Sequence, residues 1–538
     1  MTGAPLRDAA ASSHGAPVTF DVAIVGLGPT GAALANLLGR QGLKVAVVER
    51  SVGLLEIPRA VHLDGETMRV FQSMGLASDM LAIMRPGHGM HWVDASGETL
   101  LVRKGFAGLG PQGWHNDYYF HQPQLEAVLR KGLAQWANVE LMEGMELTEV
   151  DAGTDGVTLG LRPADGGPPT LLRSRYLVGC DGARSRVRTY VGDEHEDLGL
   201  HQAWLVVDGQ LHHPLPLPEY SVQHCDPARP ATSIYVHPLR RRWEIMMLPG
   251  EDPQRIVQPE VVWDLLARWV RPSQATLERA ATYVFHSLIA RHWQRGRVMI
   301  AGDAAHQTPP FLGQGLCAGI RDAANLAWKL GIAVRLEAQA ASAGHDGDAA
   351  AQARQAAARL LATYQPERQP HARAFVQLAV DLGHVIQCTD VEEAARRDVK
   401  LKANGLQFGF PQPTLGTGVH RANRPGAPEG VGQVFLQAML PDGTWLDDRA
   451  AGRFSVLMDP SAPHAQGLRE AGRTSDASHF FVAEDAGEAA RQAMQALGAS
   501  ALLVRPDGYL YDACDTPEAL TAALDELRAW TPLSQRPA

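Results

Sequence analysis

Three closely spaced glycines near the N-terminus, Gly26, Gly28 and Gly31, constrain the fold more than any other feature of the chain. An apolar strand pattern at 20–25 precedes them, and a helical pattern at 32–41 follows. In this context the first glycine allows a tight turn, the second lets a phosphate approach the backbone, and the third lets the helix pack closely on the strand. The free N–H groups at the start of the helix attract an anion. The segment is therefore predicted to bind the pyrophosphate of a dinucleotide.

A second apolar strand pattern, 44–49, ends in the acidic residue Glu49. A carboxylate at this point of a strand–helix–strand unit accepts hydrogen bonds from the hydroxyl groups of an adenosine ribose. Its negative charge also disfavours a 2′-phosphate at the same place. Glu49 is therefore predicted to bind the ribose of a dinucleotide that lacks this phosphate.

Two Gly/Asp dipeptides, Asp181-Gly182 and Gly302-Asp303, each follow a short apolar strand pattern later in the chain. The second lies about 270 residues after Gly31. The stretch between them is rich in strand patterns separated by prolines. The sequence therefore predicts a nucleotide-binding domain that is interrupted by an inserted sheet.

In this order the three motifs resemble those of the single-component, class A FAD-dependent aromatic hydroxylases. Two later runs, Met247 to Glu251 and Gly313 to Leu330, are similar to those of the 3-(3-hydroxyphenyl)propionate hydroxylase subgroup of the phenol hydroxylase-like flavoprotein monooxygenases. The resemblance covers nearly the whole chain. It implies an α/β fold with a Rossmann-like FAD-binding domain of the glutathione-reductase type, an inserted β-sheet substrate domain and a C-terminal thioredoxin-like α/β domain.

The pattern and the resemblance together divide the chain into five parts. These are a disordered tail at 1–17, an FAD-binding domain at 18–90, 118–200 and 290–390, a substrate-binding β-sheet domain at 91–117 and 201–289, a linker at 391–432, and a thioredoxin-like domain at 433–538. Within the FAD-binding part, the Ala- and Gly-rich stretch 336–356 is predicted to be a flexible loop with partial helix. The last domain lacks a C-x-x-C pair, which favours a structural or dimer-contact role over a redox role.

The resemblance implies that the cofactors are FAD and either NADH or NADPH. The first glycine motif and Glu49 would hold the adenine half of FAD, Asp303 would bind its ribityl chain, and the helix after Gly315 would direct its N-terminus at the flavin ring. Asp181 is linked to both FAD and the nicotinamide cofactor. The predicted cofactor-binding residues are Gly26, Gly28, Thr30, Gly31, Glu49, Arg50, Arg59, Gln122, Asp181, Gly182, Gly302, Asp303, Pro309, Gly313, Gly315, Leu316 and Cys317.

The implied reaction uses NAD(P)H and dioxygen to hydroxylate a phenolic aromatic acid such as 3-(3-hydroxyphenyl)propionate, ortho to the existing hydroxyl, through a C4a-hydroperoxyflavin. The cofactor carries this oxygen chemistry. The protein must exclude water and accept the proton of the phenol, which raises the electron density of the ring.

His62 and Asp64 are the predicted catalytic residues, because they lie in a segment that follows the flavin and the substrate cavity in the family. Histidine ionises near neutral pH, which suits a proton acceptor. The alternative for His62 is a structural hydrogen bond, and the alternative for Asp64 is to cap the helix that follows it.

Five residues are predicted to contact the substrate: Tyr235, His237, Arg242, Pro310 and Phe311. Arg242 is the candidate anchor for a substrate carboxylate. Its neighbours Arg240 and Arg241 compete for that role, and a basic surface cluster is the alternative for all three.

Composition excludes several other classes of protein. The 49 basic and 59 acidic residues give a net charge of −10 without long blocks of one sign, which argues against a nucleic-acid surface. The five cysteines show no metal-binding spacing, so no metal is predicted, and they fit a reducing, cytoplasmic compartment. No membrane span is predicted. The expected partners are a small phenol and dioxygen, with a homodimer as a further possibility.

Two other functions fit the same motifs. One is a flavin hydroxylase or epoxidase of a larger, polyketide-like phenol. The other is a flavin-binding redox sensor without turnover, although the complete run of glycines beside the flavin argues against it.

Overall fold

A computed structural model describes residues 20–54, 59–104, 108–342, 347–404, 412–473 and 479–531, so the tail predicted at 1–17 lies outside the described residues. The strands are β1 Phe20–Val25, β2 Val45–Glu49, β3 His62–Leu63, β4 Met84–Pro86, β5 Gly89–Val93, β6 Thr99–Lys104, β7 Tyr118–Phe120, β8 Val139–Glu143, β9 Met145–Ala152, β10 Val157–Pro163, β11 Thr170–Gly179, β12 His195–Leu211, β13 Ser221–His224, β14 Ala231–His237, β15 Arg240–Met246, β16 Ala275–Ala290, β17 Gln294–Arg295, β18 Val298–Ile300, β19 His306–Gln307, β20 Phe454–Met458, β21 Phe480–Ala483, β22 Ala501–Val504 and β23 Leu510–Cys514.

The helices are α1 Pro29–Arg40, α2 Gly65–Ser73, α3 Ala77–Leu81, α4 Gln122–Leu133, α5 Arg186–Val191, α6 Pro259–Leu266, α7 Gly315–Ser342, α8 Gly347–Leu361, α9 Tyr364–Ile386, α10 Val391–Asn404, α11 Leu446–Ala450, α12 Ala465–Arg473, α13 Glu488–Ala496 and α14 Pro517–Trp530. Short 3₁₀ turns cover Gly302–Ala304 and Pro310–Leu312. No helix of the described ranges is long and apolar enough to cross a membrane.

A largely parallel sheet forms the centre of the first part of the chain. Its strand order is β17-β18-β11-β1-β2-β8, and the β9–β10 hairpin extends from β11. The side chains of β1 and β2 are almost entirely buried on both faces, as expected of a parallel sheet covered by helices. Helix α1 connects these two strands and packs against α4 and α7. The carboxyl ends of β2, β11 and β18 therefore meet at one edge.

A second, mostly antiparallel sheet has the order β19-β16-β12-β15-β14-β13-β5-β6. The long strands β12 and β16 pair along most of their length. A small sheet, β3-β7-β4, lies beside it, and β7 contacts β14. The inserted sheet thus takes strands from three separate parts of the chain.

The C-terminal part forms its own four-stranded sheet in the order β21-β20-β22-β23. The β20–β21 pair is parallel, and the other two pairs are antiparallel. Apolar side chains are buried on both of its faces, one cluster with α12 and α14 and one with α13. Thr516 caps α14 by accepting a hydrogen bond from the N–H of Ala519.

A buried ionic cluster joins this C-terminal sheet to the rest of the protein. The carboxylate of Glu367 on α9 accepts hydrogen bonds from Asn325 and Lys329 on α7, both at 2.8 Å, and from Arg505 beyond β22 at 2.9 Å. Arg505 also pairs with Asp507. Burial lowers the pKa of Lys329 to about 8, although the charge of Glu367 opposes the shift. Each buried charge in this cluster therefore has an opposite charge beside it.

Two predictions of irregular structure differ from the fold. The stretch 336–356, predicted as a flexible loop with partial helix, is helical throughout its described part, in α7 and α8; residues 343–346 lie outside the described ranges. Its alanines, taken as a sign of low complexity, are the best helix formers. The predicted linker 391–432 contains α10, because that helix buries Ala394 and Leu401. Strand β12 also begins inside the segment assigned to the FAD-binding domain, and the domain boundaries stay predictions.

We expect Glu367→Gln to lower the free energy of unfolding by about 3–5 kcal/mol, because it leaves Lys329 and Arg505 buried without a full opposite charge. Denaturant unfolding monitored by tryptophan fluorescence measures the change. Glu392→Gln on the exposed side of α10 is the matched control, and we expect a change within about 0.5 kcal/mol. Equal stabilities of the two variants would contradict the role of the cluster.

Candidate active site

A cavity of about 910 Å³ lies between the carboxyl edge of the parallel sheet and the inner face of the second sheet. Arg50, Asp181 and Asp303, which follow three parallel strands, line one side. Ligands of open α/β sheets bind at this edge, where the strand order reverses. The inserted sheet closes the other side with residues of β12 to β16.

The glycines at the start of α1 are explained by different contacts. A Cβ on Gly26 would lie 2.4 Å from the carbonyl oxygen of Cys180, and one on Gly31 would lie 2.0 Å from that of Gly26. A Cβ on Gly28 would meet no protein atom within 4 Å, so packing within the protein does not require a glycine there. Gly28 is the N-cap of α1 and has no side chain to accept from the first N–H groups. This combination leaves the helix N-terminus open to an anion such as a pyrophosphate.

The carboxylate of Glu49 is held by two backbone donors. The N–H of Leu27 donates to Oε2 and that of Ser51 donates to Oε1, both at 2.8 Å. An ionised carboxylate has about four acceptor positions, so it can still accept from a ribose diol. The position of Glu49 beside the glycine turn thus fits the predicted role.

Asp322, which sequence reasoning missed, fixes the Gly302 turn. Its carboxylate accepts from the N–H of Gly302 at 3.0 Å and contacts Nε2 of His306 at 2.8 Å and Nε of Arg368 at 2.9 Å. Thr30 packs against the same turn, since a Cβ on Gly302 would lie 2.6 Å from its Oγ1. Asp303 is left exposed at the cavity. These contacts hold Asp303 in place at the edge of the cavity.

Gln122 and Asp181 organise backbone beside the cavity. Oε1 of Gln122 accepts from the N–H groups of Arg59 at 2.8 Å and Ala60 at 2.6 Å. The carboxylate of Asp181 accepts from the N–H of Arg186 at 2.8 Å, at the start of α5, which Ser185 caps. Asp181 lines the cavity, whereas Gln122 acts through the segment that carries Arg59.

The loop before α7 forms the floor of the cavity. Pro309 leads into the 3₁₀ turn, and Pro310, Phe311, Gly313, Gly315 and Leu316 line the cavity. Gly313 has φ +64°, a conformation that side chains disfavour. Cys317 is fully buried, and burial raises its pKa to about 12, so it stays a thiol. This loop brings the start of α7 to the centre of the site.

His62 lies on the cavity wall and forms a buried pair with Asp117, a residue that the sequence gave no reason to select. Nε2 of His62 lies 2.7 Å from Oδ1 of Asp117, and Nδ1 lies 3.3 Å from the carbonyl oxygen of Gly313. Arg103 donates to the same Asp117 oxygen at 2.8 Å. Burial favours a raised pKa for Asp117, but the His62 hydrogen bond and the Arg103 charge outweigh it and hold that pKa at about 2. The carboxylate is therefore ionised at all ordinary pH values.

The structure removes Asp64 from the substrate wall. Asp64 caps α2 by accepting from the N–H of Thr67 at 2.9 Å, and Arg321 pairs with its other oxygen. The residue is not among those that line the cavity. A carboxylate already engaged by a cap and a guanidinium is poorly placed to accept a phenol proton, so the capping alternative fits Asp64 better.

Two of the predicted substrate contacts also lie elsewhere. Tyr235 is sandwiched between the guanidinium groups of Arg85 and Arg241, at 4.0 and 4.3 Å from its ring centre. His237 is exposed at the end of β14. Neither residue lines the cavity, because their side chains leave the sheet on its other face or at its end.

Arg242 lines the cavity, but other groups of the protein bind its guanidinium. It pairs with Asp208 through Nε at 2.8 Å, and it donates to the carbonyl oxygen of Arg59 at 2.6 Å. Two charged residues that sequence reasoning missed, Arg279 and Glu244, line the cavity beside it. Burial raises the pKa of Glu244, against the charge of Arg242. The wall of the inserted sheet is therefore polar, and Arg242 ties it to the Arg59 segment.

Comparison with known proteins shows the family to which this chain belongs. The FAD-binding domain family model matches residues 19–347. The chain belongs to the FAD-dependent aromatic hydroxylases. It is 37% identical to a probable NADH-specific resorcinol 4-hydroxylase of Rhodococcus jostii (strain RHA1), with 96% of each chain covered. It is 35% identical to a 3-(3-hydroxyphenyl)propionate/3-hydroxycinnamic acid hydroxylase of Mycolicibacterium smegmatis, with 92% of this chain and 83% of the relative covered.

The fold agrees with this assignment. The flavin-dependent monooxygenase PieE, solved with FAD and substrate, superimposes with a TM-score of 0.77 at 21% identity, covering 96% of this chain and 99% of PieE. The predicted family, FAD with NAD(P)H as cofactors, and aromatic hydroxylase activity are confirmed. The open N-terminus of α1, the free space at Gly28 and the held carboxylate of Glu49 fit the adenine half of FAD.

We expect Glu49→Gln to weaken FAD binding by about tenfold, since it replaces charge-assisted hydrogen bonds with neutral ones. Titration of the apoprotein with FAD, followed by flavin fluorescence, measures the dissociation constant. Glu143→Gln is the matched control, because Glu143 lies opposite Glu49 on the neighbouring strand and pairs instead with Arg130. Equal affinities of the two variants would remove Glu49 from the binding site.

Proposed function

We propose that this hydroxylase acts on a single-ring phenol that carries a second polar group meta to its hydroxyl, and that His62 accepts the phenol proton. The observation that carries the proposal is the buried His62–Asp117 pair on the cavity wall, next to the loop at Gly313. The names of the two relatives contain resorcinol and 3-(3-hydroxyphenyl)propionate, and both compounds are meta-substituted phenols. The name of the first relative also favours NADH over NADPH.

His62, Asp117 and the loop at Gly313 together support the proposed proton transfer. When bound, FAD supplies the redox and oxygen chemistry. The ionised Asp117 orients the imidazole through Nε2 and stabilises the positive charge that His62 gains with the proton. In the proposed starting state the neutral ring carries its hydrogen on Nε2, so Nδ1 has the lone pair that takes the phenol proton. The proton on Nδ1 is then within reach of the carbonyl oxygen of Gly313. Loss of the phenol proton raises the electron density at the carbons ortho and para to the oxygen, where hydroxylation is proposed.

The glycine at position 313 is part of this arrangement. A Cβ there would lie 2.7 Å from Nδ1 of His62, so any larger residue would displace the imidazole. The loop and the proposed acceptor are therefore fitted to each other.

The polar wall of the second sheet supports a second polar group on the substrate. The amide of Gln223 on β13 is bonded to Ala231 and Thr232, whereas the charged groups of Glu244 on β15 and Arg279 on β16 line the cavity. Together they offer donors and acceptors for a hydroxyl or a carboxylate. The cavity of about 910 Å³ is at the upper end of the usual range for a ligand site. It must hold the flavin ring as well, which favours a one-ring substrate over a polyketide.

We further propose that the C-terminal domain is thioredoxin-like. Its strand order and its single parallel pair, β20 with β21, support this topology.

Substrate-stimulated NADH oxidation tests the proposed substrate class. We expect resorcinol and 3-(3-hydroxyphenyl)propionate to stimulate oxidation and to yield hydroxylated products, and we expect phenol without a meta substituent to do so at least tenfold less well. Product analysis by chromatography separates hydroxylation from peroxide release. Equal turnover of phenol, or no product from any meta-substituted phenol, would overturn the proposal.

A second prediction concerns the proton acceptor. We expect His62→Ala to lower the hydroxylation kcat by about 100-fold and Asp117→Asn by about tenfold, with FAD binding unchanged, because general-base catalysis contributes on this scale. His286→Ala is the matched control, since His286 lines the cavity but pairs with His201 instead.

The pH profile gives a further check on the same variants. Asp117 loses its charge only near pH 2, so it does not titrate between pH 5 and 9. An inflection of kcat in that range which is absent from His62→Ala would belong to His62. An unchanged kcat and pH profile in His62→Ala would exclude it as the acceptor.

A further inference from the structure

A continuous series of buried and partly buried hydrogen bonds connects the C-terminal sheet to the floor of the flavin cavity. The hydroxyl of Tyr509, next to β23, donates to Oε1 of Glu66 on α2 at 2.9 Å, and it also lies 3.1 Å from Nε2 of His371 on α9. Nε of Arg321 on α7 donates to Oε2 of Glu66 at 2.6 Å. NH1 of Arg321 donates to Oε1 of Gln314 at 3.0 Å. The series ends at Gln314, which lines the cavity.

Arg321 is the fixed point of this series. Its side chain is 4% exposed, and its third nitrogen, NH2, donates to Asp64. A guanidinium is planar and its donors point in set directions, so three acceptors determine its position. One of these acceptors is Glu66, whose second oxygen is held by Tyr509. A change at Tyr509 therefore alters the support of the group that holds Gln314.

Gln314 has a donor that the described protein does not satisfy. The residue is fully buried and is the N-cap of α7, since its carbonyl oxygen accepts from the N–H of Ala318 at 2.9 Å. Because Arg321 can only donate, Oε1 of Gln314 must face it, and the amide nitrogen Nε2 must point away. That Nε2 atom is buried and has no hydrogen-bond partner among the described residues. A buried N–H without a partner costs about 1–3 kcal/mol, so an acceptor is expected at the cavity.

We propose that Gln314 donates a hydrogen bond from Nε2 to an oxygen bound in the cavity, and that Tyr509 positions it through Glu66 and Arg321. The acceptor is a carbonyl oxygen of the flavin ring or an oxygen of the substrate. The C-terminal domain then contributes to the active site without reaching it. This inference rests on the hydroxylase activity and on FAD binding, and it does not depend on which phenol is the substrate.

The hydroxyl of Tyr509 is not needed to attach the C-terminal domain. The cluster of Glu367, Lys329, Arg505 and Asp507 already joins the two parts of the protein through separate side chains. Burial and the neighbouring Glu66 raise the pKa of Tyr509, so its hydroxyl stays protonated and can donate. Removal of this one hydroxyl should therefore disturb the series of hydrogen bonds from Tyr509 through Glu66 and Arg321 to Gln314. It should leave the C-terminal domain in place.

Two tyrosine variants separate positioning from stability. Tyr509→Phe removes the hydrogen bond to Glu66, the first of the series that leads to Gln314. Tyr511→Phe is the matched control, because Tyr511 is fully buried in the same domain and its hydroxyl has no hydrogen-bond partner in the part of the chain that the structure describes. We expect Tyr509→Phe to release at least twofold more peroxide per NADH than the parent enzyme. We expect Tyr511→Phe to match the parent, and both variants to retain FAD affinity within about twofold.

Gln314→Glu tests the donor itself, since it keeps an acceptor for Arg321 and removes the N–H. We expect it to release more peroxide per NADH, as Tyr509→Phe does. We expect the double variant with Tyr509→Phe to release no more peroxide than Gln314→Glu alone, as for residues that act through one path. Two readouts identify the acceptor. A shifted flavin absorption spectrum without substrate assigns it to FAD, and an unshifted spectrum with a raised substrate KM assigns it to the substrate.

Three outcomes would overturn the inference. The first is a Tyr509→Phe enzyme that releases no more peroxide per NADH than Tyr511→Phe. The second is additive losses in the double variant. The third is a Gln314→Glu enzyme with neither a changed spectrum nor a changed KM. If no phenol is hydroxylated by the parent enzyme, the proposed substrate class fails, whereas the flavin spectra still test Gln314.

Discussion

The buried polar face of α7 holds the separate parts of the protein together. Along this one helix, Arg321 binds the α2 segment, Asp322 binds the Gly302 turn, and Asn325 and Lys329 bind Glu367. Charges buried in a protein are tolerated only with opposite charges and hydrogen bonds beside them. The segments that bind this helix are therefore fixed in position. They include the α2 segment, which follows His62, and the Gly302 turn, which carries Asp303.

This arrangement explains how distant segments form one cavity. The Gly302 turn, the Gly313 loop and His62 come from different parts of the chain, and each is attached to α7 or to its N-terminal loop. The second sheet is joined to the same region through Arg242, which donates to the backbone at Arg59. The site is thus a product of polar contacts between elements that pack mainly through apolar faces.

The sequence predicted the residues whose role is local. The glycines at 26 and 31, Glu49 and the turn at Gly302 lie beside the strands that position them, so short patterns were enough to find them. Asp117 was missed because it lies 55 residues from His62 and carries no motif of its own. Asp64 and Tyr235 were assigned to the substrate by proximity in sequence, but the cap on α2 and the stacked guanidinium groups direct them elsewhere. Spacing along a chain does not show which way a side chain points.

By itself, the sequence determined the strand–turn–helix unit and the membership in a family of flavin hydroxylases. These features depend on backbone conformations and apolar periods that neighbouring residues impose. Only the tertiary structure decided which acid faces His62, that Arg242 is bound by Asp208, and that a C-terminal tyrosine is linked to Gln314. The reason is physical: buried polar groups require partners, and the partners that satisfy them are chosen by packing between elements far apart in the chain.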